Sequence, residues 1–162
     1  MSLQVLPARP GDDAALLDLD RQCWSLSASV VPAPSPDARF FGPAESPADV
    51  LVAVSHAFVV GYVRLRVPTA LSSNAHVQQV QGLGVHPQYR RQGVARALLF
   101  AAMELARSRG ARKVSLRVLA TNEPARQLYE SVGFTMEGLL SDEFMLGGSY
   151  VNDVLMARFL DS

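Results

Sequence analysis

The residues best placed for chemistry lie between Val80 and Ala106. A strand-like run there, Val80–Val85, passes through His86-Pro87 into a basic turn and then a helix. Arg90 and Arg91 stand directly before Gln92, Gly93, Val94, Ala95 and Arg96, so the helix opens on small residues behind two positive charges. The first turn of a helix leaves backbone N–H groups without partners, and the macrodipole places partial positive charge there. Small residues let an anion approach those groups, and guanidinium groups add charge-assisted hydrogen bonds. The stretch therefore predicts a phosphate cradle.

Spacing narrows the kind of cradle. A P-loop needs Lys followed by Ser or Thr after its last glycine, and Val94-Ala95 does not supply them. A dinucleotide fingerprint needs G-x-G-x-x-G between strand and helix, whereas Gly82 and Gly84 precede the turn. What remains, Arg90-Arg91-Gln92-Gly93-Val94-Ala95, fits Q/R-x-x-G-x-G/A.

The elements that must position this turn follow from hydrophobic periodicity. Leu3–Leu6 reads as a first strand, and Gly11-Asp12-Asp13 as a turn and N-cap. Leu16, Leu17, Leu19 and Cys23 give Ala14–Cys23 an amphipathic helix. Ser25–Pro47 holds five of the ten prolines, so it predicts an irregular lid or surface loop with at most one helical turn. Val50–Val54 and Phe58–Val67 predict two strands joined at Ser55-His56. In the second, Tyr62, Arg64 and Arg66 alternate with Val63, Leu65 and Val67, the pattern of a half-buried strand. His76–Val85 continues as a strand. Gly93–Arg109 is a helix with Ala95, Leu98, Leu99, Ala102 and Ala106 on one face and Gly110 as its stop. After a strand at Val114–Leu119, Thr121 or Asn122 caps a helix carrying Pro124 in its first turn and ending at Gly133. Phe134–Gly138 and Val151–Phe159 close the chain as strands.

The order is β, α, loop, β-β-β, α, β, α, β-β. It predicts an α/β domain over residues 1–162: a mixed, mostly antiparallel sheet of about six to seven strands, with helices on both faces. The 162 residues suit one domain, and 49% apolar residues can fill its core. Net charge is zero, with basic residues gathered at Arg90–Arg96 and Arg107–Lys113, which favours a small anion over nucleic acid. Cys23 is the sole cysteine, and His56, His76 and His86 lack ligand spacing, so no metal site is expected. No apolar run approaches the ~20 residues of a membrane span, and no signal peptide is evident, so a soluble cytoplasmic protein is expected.

A second motif lies downstream. Asn122-Glu123-Pro124-Ala125-Arg126-Gln127-Leu128-Tyr129-Glu130-Ser131-Val132-Gly133-Phe134 fits N-x-x-A-x-x-L-Y-x-x-x-G-F. Together with the Arg90–Ala95 turn it closely resembles the GNAT superfamily of N-acetyltransferases, over nearly the whole chain. The resemblance implies acetyl-CoA as ligand. It places backbone groups of Leu83, Gly84 and Val85 against the pantetheine arm, with the glycines permitting close approach. It places the N–H groups of Arg91–Arg96 around the pyrophosphate, Asn122 on the cofactor arm and Tyr129 beside the sulfur. Tyr129, with an unperturbed pKa near ~10, would protonate the leaving thiolate. A core aromatic is the alternative role for Tyr129.

Many members of that family carry a glutamate near the position of Gln81, which cannot accept a proton at neutral pH, nor can Gln78 or Gln79. His76 is the nearest titratable group on this strand, with Glu137, Asp142, Glu143 and Asp153 as further candidates. Deprotonating a lysine-like amine at pH 7 costs about 4–5 kcal/mol, against about 1.4 kcal/mol for an α-amine, so a low-pKa amine is the easier substrate. Phe134, Glu137, Gly138 and then Met156-Ala157-Arg158 resemble an ending found in members that act on small amines or amino acids.

The expected activity is acetyl transfer to a primary amine of a small molecule, amino acid or peptide within a ternary complex. A non-catalytic acyl-CoA-binding or sensing module is the alternative, favoured by Gln81. A homodimer is compatible with the sequence.

Overall fold

The computed structural model describes residues 2–161. Seven strands form one sheet in the order β1-β2-β3-β4-β5-β7-β6. They are β1 (Gln4–Pro7), β2 (Val50–Ser55), β3 (Phe58–Arg66), β4 (Val77–Val85), β5 (Lys113–Leu119), β6 (Thr135–Leu146) and β7 (Ser149–Phe159). β4 and β5 run parallel, and every other neighbouring pair is antiparallel. The three α-helices are α1 (Asp13–Cys23), α2 (Val94–Ser108) and α3 (Glu123–Ser131).

The helices cover both faces. Leu16, Leu17 and Leu19 of α1 pack with Val50, Val52 and Tyr62 on one face. On the other, Leu98, Leu99 and Met103 of α2 pack with Val63, Leu65 and Leu116, and with Tyr129 of α3. Leu98 and Leu99 have no exposed surface, so truncating either to alanine costs about 2–5 kcal/mol. Pro124 sits in the first turn of α3, and the Asn122 side chain caps it by accepting from the Ala125 N–H at 3.3 Å.

Several expectations are corrected locally. Tyr62 lies on a strand buried on both faces, not half-buried, because α1 covers the face on which it stands. The β2–β3 turn is centred on His56 and Ala57, both at positive φ, one residue later than expected. Neither Asp12 nor Asp13 caps α1 through its side chain; Asp13 instead accepts the backbone N–H groups of Phe40 and Phe41. β6 and β7 form a hairpin longer than expected, with its turn at Gly147-Gly148. A register shift between Leu140 and Phe144, with Asp142 at positive φ, interrupts the alternation that would have marked β6.

The proline-rich segment carries a single hydrogen-bonded helical turn at Ser25–Ser29, gives way to a short 3-10 turn at Pro47–Asp49, and is tied down. Arg21 donates to the Ser35 carbonyl at 2.8 Å. Phe40 is buried edge-on against Tyr62, with ring centroids 5.0 Å apart.

Candidate active site

The parallel pairing of β4 and β5 is short. Val77–Val80 pair with Lys113–Leu116, and there the ladder ends. Beyond it β4 continues against β3 to Val85, and β5 continues against β7 to Leu119. The parting coincides with a bulge: Arg64 pairs with Gly82 and Leu65 with Val80, so Gln81 is an extra residue on β4. An extra residue bends its strand, and here the bend opens the β5-facing edge of β4. A cavity of about 300 Å³ occupies the opening, lined by Gln79, Gln81, Gly82, Leu83, Arg117 and Tyr129.

The basic turn stands at the end of the same strand. Arg91 has φ 61° and Gly93 has φ 82°, so the chain passes twice through the left-handed region before α2 begins. Gly93 has no side chain with which to cap, and a Cβ there would meet nothing within 4 Å. The glycine therefore serves backbone conformation and leaves open space over the first N–H groups of α2. Arg90, Arg91, Gln92 and Arg96 are exposed around it, while the Val94 side chain is core and Ala95 is half-buried. Arg90 Nε donates to the Val85 carbonyl at 3.2 Å, and Arg96 donates to Ser131 on α3 at 3.2 Å. An open helix start, an unpaired strand edge and a cavity thus lie in sequence along one path, from Arg91–Arg96 past Leu83 to Tyr129.

Tyr129 closes that path. Its ring meets Phe134 edge-on at 6.0 Å, and burial pushes its phenol up to about 12. The phenol therefore stays protonated across the physiological range, as a hydrogen-bond donor in the lining of the cavity.

The Acetyltransferase (GNAT) family profile matches residues 14–134. The chain belongs to this family. A structure of yncA from Salmonella typhimurium with its cofactor acetyl-CoA superposes with a TM-score of 0.83 at 18% identity, covering 100% of this chain and 96% of that one. A GCN5-related N-acetyltransferase from Kribbella flavida gives a TM-score of 0.80 at 27% identity, covering 98% of each chain. Among sequence relatives, the uncharacterized N-acetyltransferase YycN of Bacillus subtilis is 45% identical over 62 residues, 36% of this chain and 40% of that protein. The [ribosomal protein bS18]-alanine N-acetyltransferase of Haemophilus ducreyi is 37% identical over 79 residues, 48% of this chain and 54% of that protein. The chain thus spans about half or less of the length of these curated relatives.

This GNAT chain departs from two sequence expectations. The smallness of Gly82 and Gly84 serves packing within the chain: a Cβ on Gly84 would lie 2.9 Å from the Tyr62 ring, and one on Gly82 would lie 3.2 Å from it. They are small because Tyr62 lies across them. The Val85 carbonyl is occupied by Arg90 Nε and by the Cys23 thiol, at 3.4 Å, and Gly84 is turned toward its partner Tyr62 on β3, which leaves Leu83 and the Val85 N–H as the nearer backbone partners for an extended ligand. Asn122 Oδ1 is used in capping α3, so its side-chain amide Nδ2 is the group left to face a ligand.

The expected proton acceptors are mostly engaged elsewhere. Gln81 is exposed and donates to Gln79 at 3.0 Å. Glu137 pairs with Lys113 at 2.9 Å. Glu143 pairs with Arg117 at 3.0 Å, and Arg117 also holds the buried Asp153. Asp142 stands at the β6 bulge, and its backbone N–H donates to Asn152. His76 is exposed just before β4, at the end where β4 and β5 are still paired. Among the described residues, no three His, Cys, Asp or Glu side chains gather as a metal site. No described helix is long and apolar enough to cross a membrane.

A carboxylate that the sequence reading passed over lies on the α1 face. Tyr62 donates its hydroxyl to Asp20 Oδ1 at 2.6 Å, and burial raises the Asp20 carboxyl above its usual range. A signal was available: Leu16, Leu19, Asp20 and Cys23 recur at i, i+3, i+4 and i+7, so Asp20 interrupts an apolar stripe rather than joining the polar face.

Proposed function

We propose that this chain transfers an acetyl group from acetyl-CoA to a primary amine of a small molecule, amino acid or peptide, by direct attack in a ternary complex. The carrying observation is the junction of the open β4 edge with the uncapped start of α2. The N–H groups of Arg91–Arg96 suit a pyrophosphate, and exposed Arg90 and Arg91 add charge beside it. Leu83 and the Val85 N–H present backbone groups along which an extended pantetheine arm can lie as an added strand. Bound there, acetyl-CoA supplies an activated thioester.

Tyr129 then serves the leaving sulfur. Burial that disfavours its phenolate also disfavours a bare thiolate in the same cavity, so donation from phenol to sulfur is no harder there than in water. A backbone N–H on the open edge of β4 can donate to the carbonyl oxygen as charge develops on it.

The alternative, an acyl-CoA-binding module without turnover, draws on one observation: the cavity lining includes Gln79 and Gln81 but no carboxylate. Calorimetric titration with CoA, together with thiol release from acetyl-CoA across an amine panel, separates the two. The transferase reading expects both binding and amine-dependent thiol release. Tight binding with no release on any amine supports the module, and absence of binding defeats both. Tyr129→Phe is expected to lower kcat by about 100-fold or more while leaving CoA affinity within twofold. An unchanged kcat removes its acid role.

A further inference from the structure

The cavity between β4 and β5 is lined by Tyr129 and by Gly82, and the Tyr62 ring and hydroxyl lie against Gly82. Tyr129 and the start of α2 belong to one face, so the donor approaches from there. The acceptor must then come from the other face, where Tyr62 lies across Gly82 and Gly84 beneath α1. On that face Asp20 is half-buried, and Oδ1 accepts the Tyr62 hydroxyl. Among the described residues nothing donates to Oδ2. Arg64, whose charge reaches Asp20, is paired with Glu45 at 3.4 Å instead. A partly desolvated carboxylate without an ion-pair partner disfavours folding, and such groups persist where they serve a site.

We propose that Asp20, held in place by Tyr62, binds the ammonium of the acceptor and takes its proton. The assignment rests on the acetyltransferase reading above and supplies the proton acceptor that Gln81 cannot be.

The proton passes from the ammonium to Oδ2, and the N–H electron pair stays on nitrogen. That pair forms the N–C bond to the acetyl carbonyl, and the C–S bond breaks with its electrons on sulfur. Sulfur takes a proton from Tyr129. The proton then shed by the new amide nitrogen restores Tyr129, and Asp20 releases its own to solvent. The sum is ammonium plus acetyl-CoA giving amide, CoA thiol and one proton.

The groups that set the Asp20 titration are Tyr62 and Arg64 on β3 and Glu45 in the proline-rich segment, and the Asp20 charge in turn disfavours the thiolate of Cys23 on the same helix. Burial raises the carboxyl, while the Tyr62 hydrogen bond and Arg64 lower it. Asp20 thus becomes the acid limb of kcat/KM, above the range of an ordinary aspartate.

The test is the pH profile of kcat/KM for wild type, Asp20→Asn and Tyr62→Phe, with any amine that supports turnover. Asp20→Asn retains an acceptor for the Tyr62 hydroxyl. It is expected to lose the acid limb and to fall about 100-fold or more near pH 7. The gap closes at alkaline pH, where the amine is already neutral, and CoA affinity stays within twofold. Tyr62→Phe, which keeps the ring over the glycines, is expected to shift the acid limb upward. Because the Asp20 charge disfavours folding, Asp20→Asn should melt no lower than wild type at pH 7, so misfolding would show in the melting curve. An unshifted profile with wild-type kcat/KM in Asp20→Asn overturns the assignment while leaving the transferase reading intact. Absence of turnover by wild type on every amine overturns both.

Discussion

The two faces of the opening between β4 and β5 are built in opposite ways. The face proposed for the donor is made of backbone: the start of α2, the edge of β4 and two positive-φ residues, with Tyr129 as the buried side chain proposed to act there. The face proposed for the acceptor is made of side chains from α1, β3 and the proline-rich segment, and Asp20 and Tyr62 meet across 42 residues of sequence. A backbone site needs a contiguous run with small residues at set positions. A side-chain site can be assembled from any segments that the fold brings together.

That contrast can be sharpened or broken by experiment, beginning with the largest expected effect on stability. Tyr129 belongs to the donor face, and its burial links folding to alkaline pH. Its phenol titrates near 10 when unfolded and at about 12 when folded, so the folded state holds the proton more tightly. The stability this confers is complete below pH 10 and is lost as pH rises from 10 toward 12. Relative to Tyr129→Phe, wild type should lose roughly 2–3 kcal/mol over that interval in denaturant titrations. A constant difference would mean that the phenol is not buried.

Two glycine substitutions then set one face against the other. Gly84→Ala places a Cβ 2.9 Å from the Tyr62 ring, and overpacking of this kind costs about 1–3 kcal/mol. The expected result is lower stability and a raised KM for the amine, with CoA affinity unchanged. Gly93→Ala has free space around the new Cβ but forces alanine to φ 82°, at about 1–2 kcal/mol. The outcome expected there is the reverse: CoA affinity falls by about tenfold as the helix start relaxes, and the amine KM holds. Equal effects of both variants on CoA and amine would erase the distinction between the faces.

The same contrast explains what the sequence disclosed. The Arg90–Ala95 and Asn122–Phe134 runs were legible because each is local and its spacing reflects backbone geometry. The element order, the mixed sheet and the caps at Asn122, Gly110 and Gly133 were legible for the same reason. The role of Gly82 and Gly84 was not, because it depends on a tyrosine from a neighbouring strand. Tyr62 was read only as one of the alternating residues of a half-buried strand, since its spacing with Arg64 and Arg66 cannot show that α1 will lie over it. Asp20 left a trace only as a polar residue in an apolar stripe. The extent of β6 was hidden by the bulge between Leu140 and Phe144.

Amide hydrogen exchange with and without CoA tests the central claim most directly, because it reads the backbone on which the donor face depends. The account expects CoA to slow exchange at Leu83, Val85 and Arg91–Arg96, and to leave α1 and Tyr62 unchanged. Protection centred on α1 and β3, with the start of α2 unaffected, would contradict it.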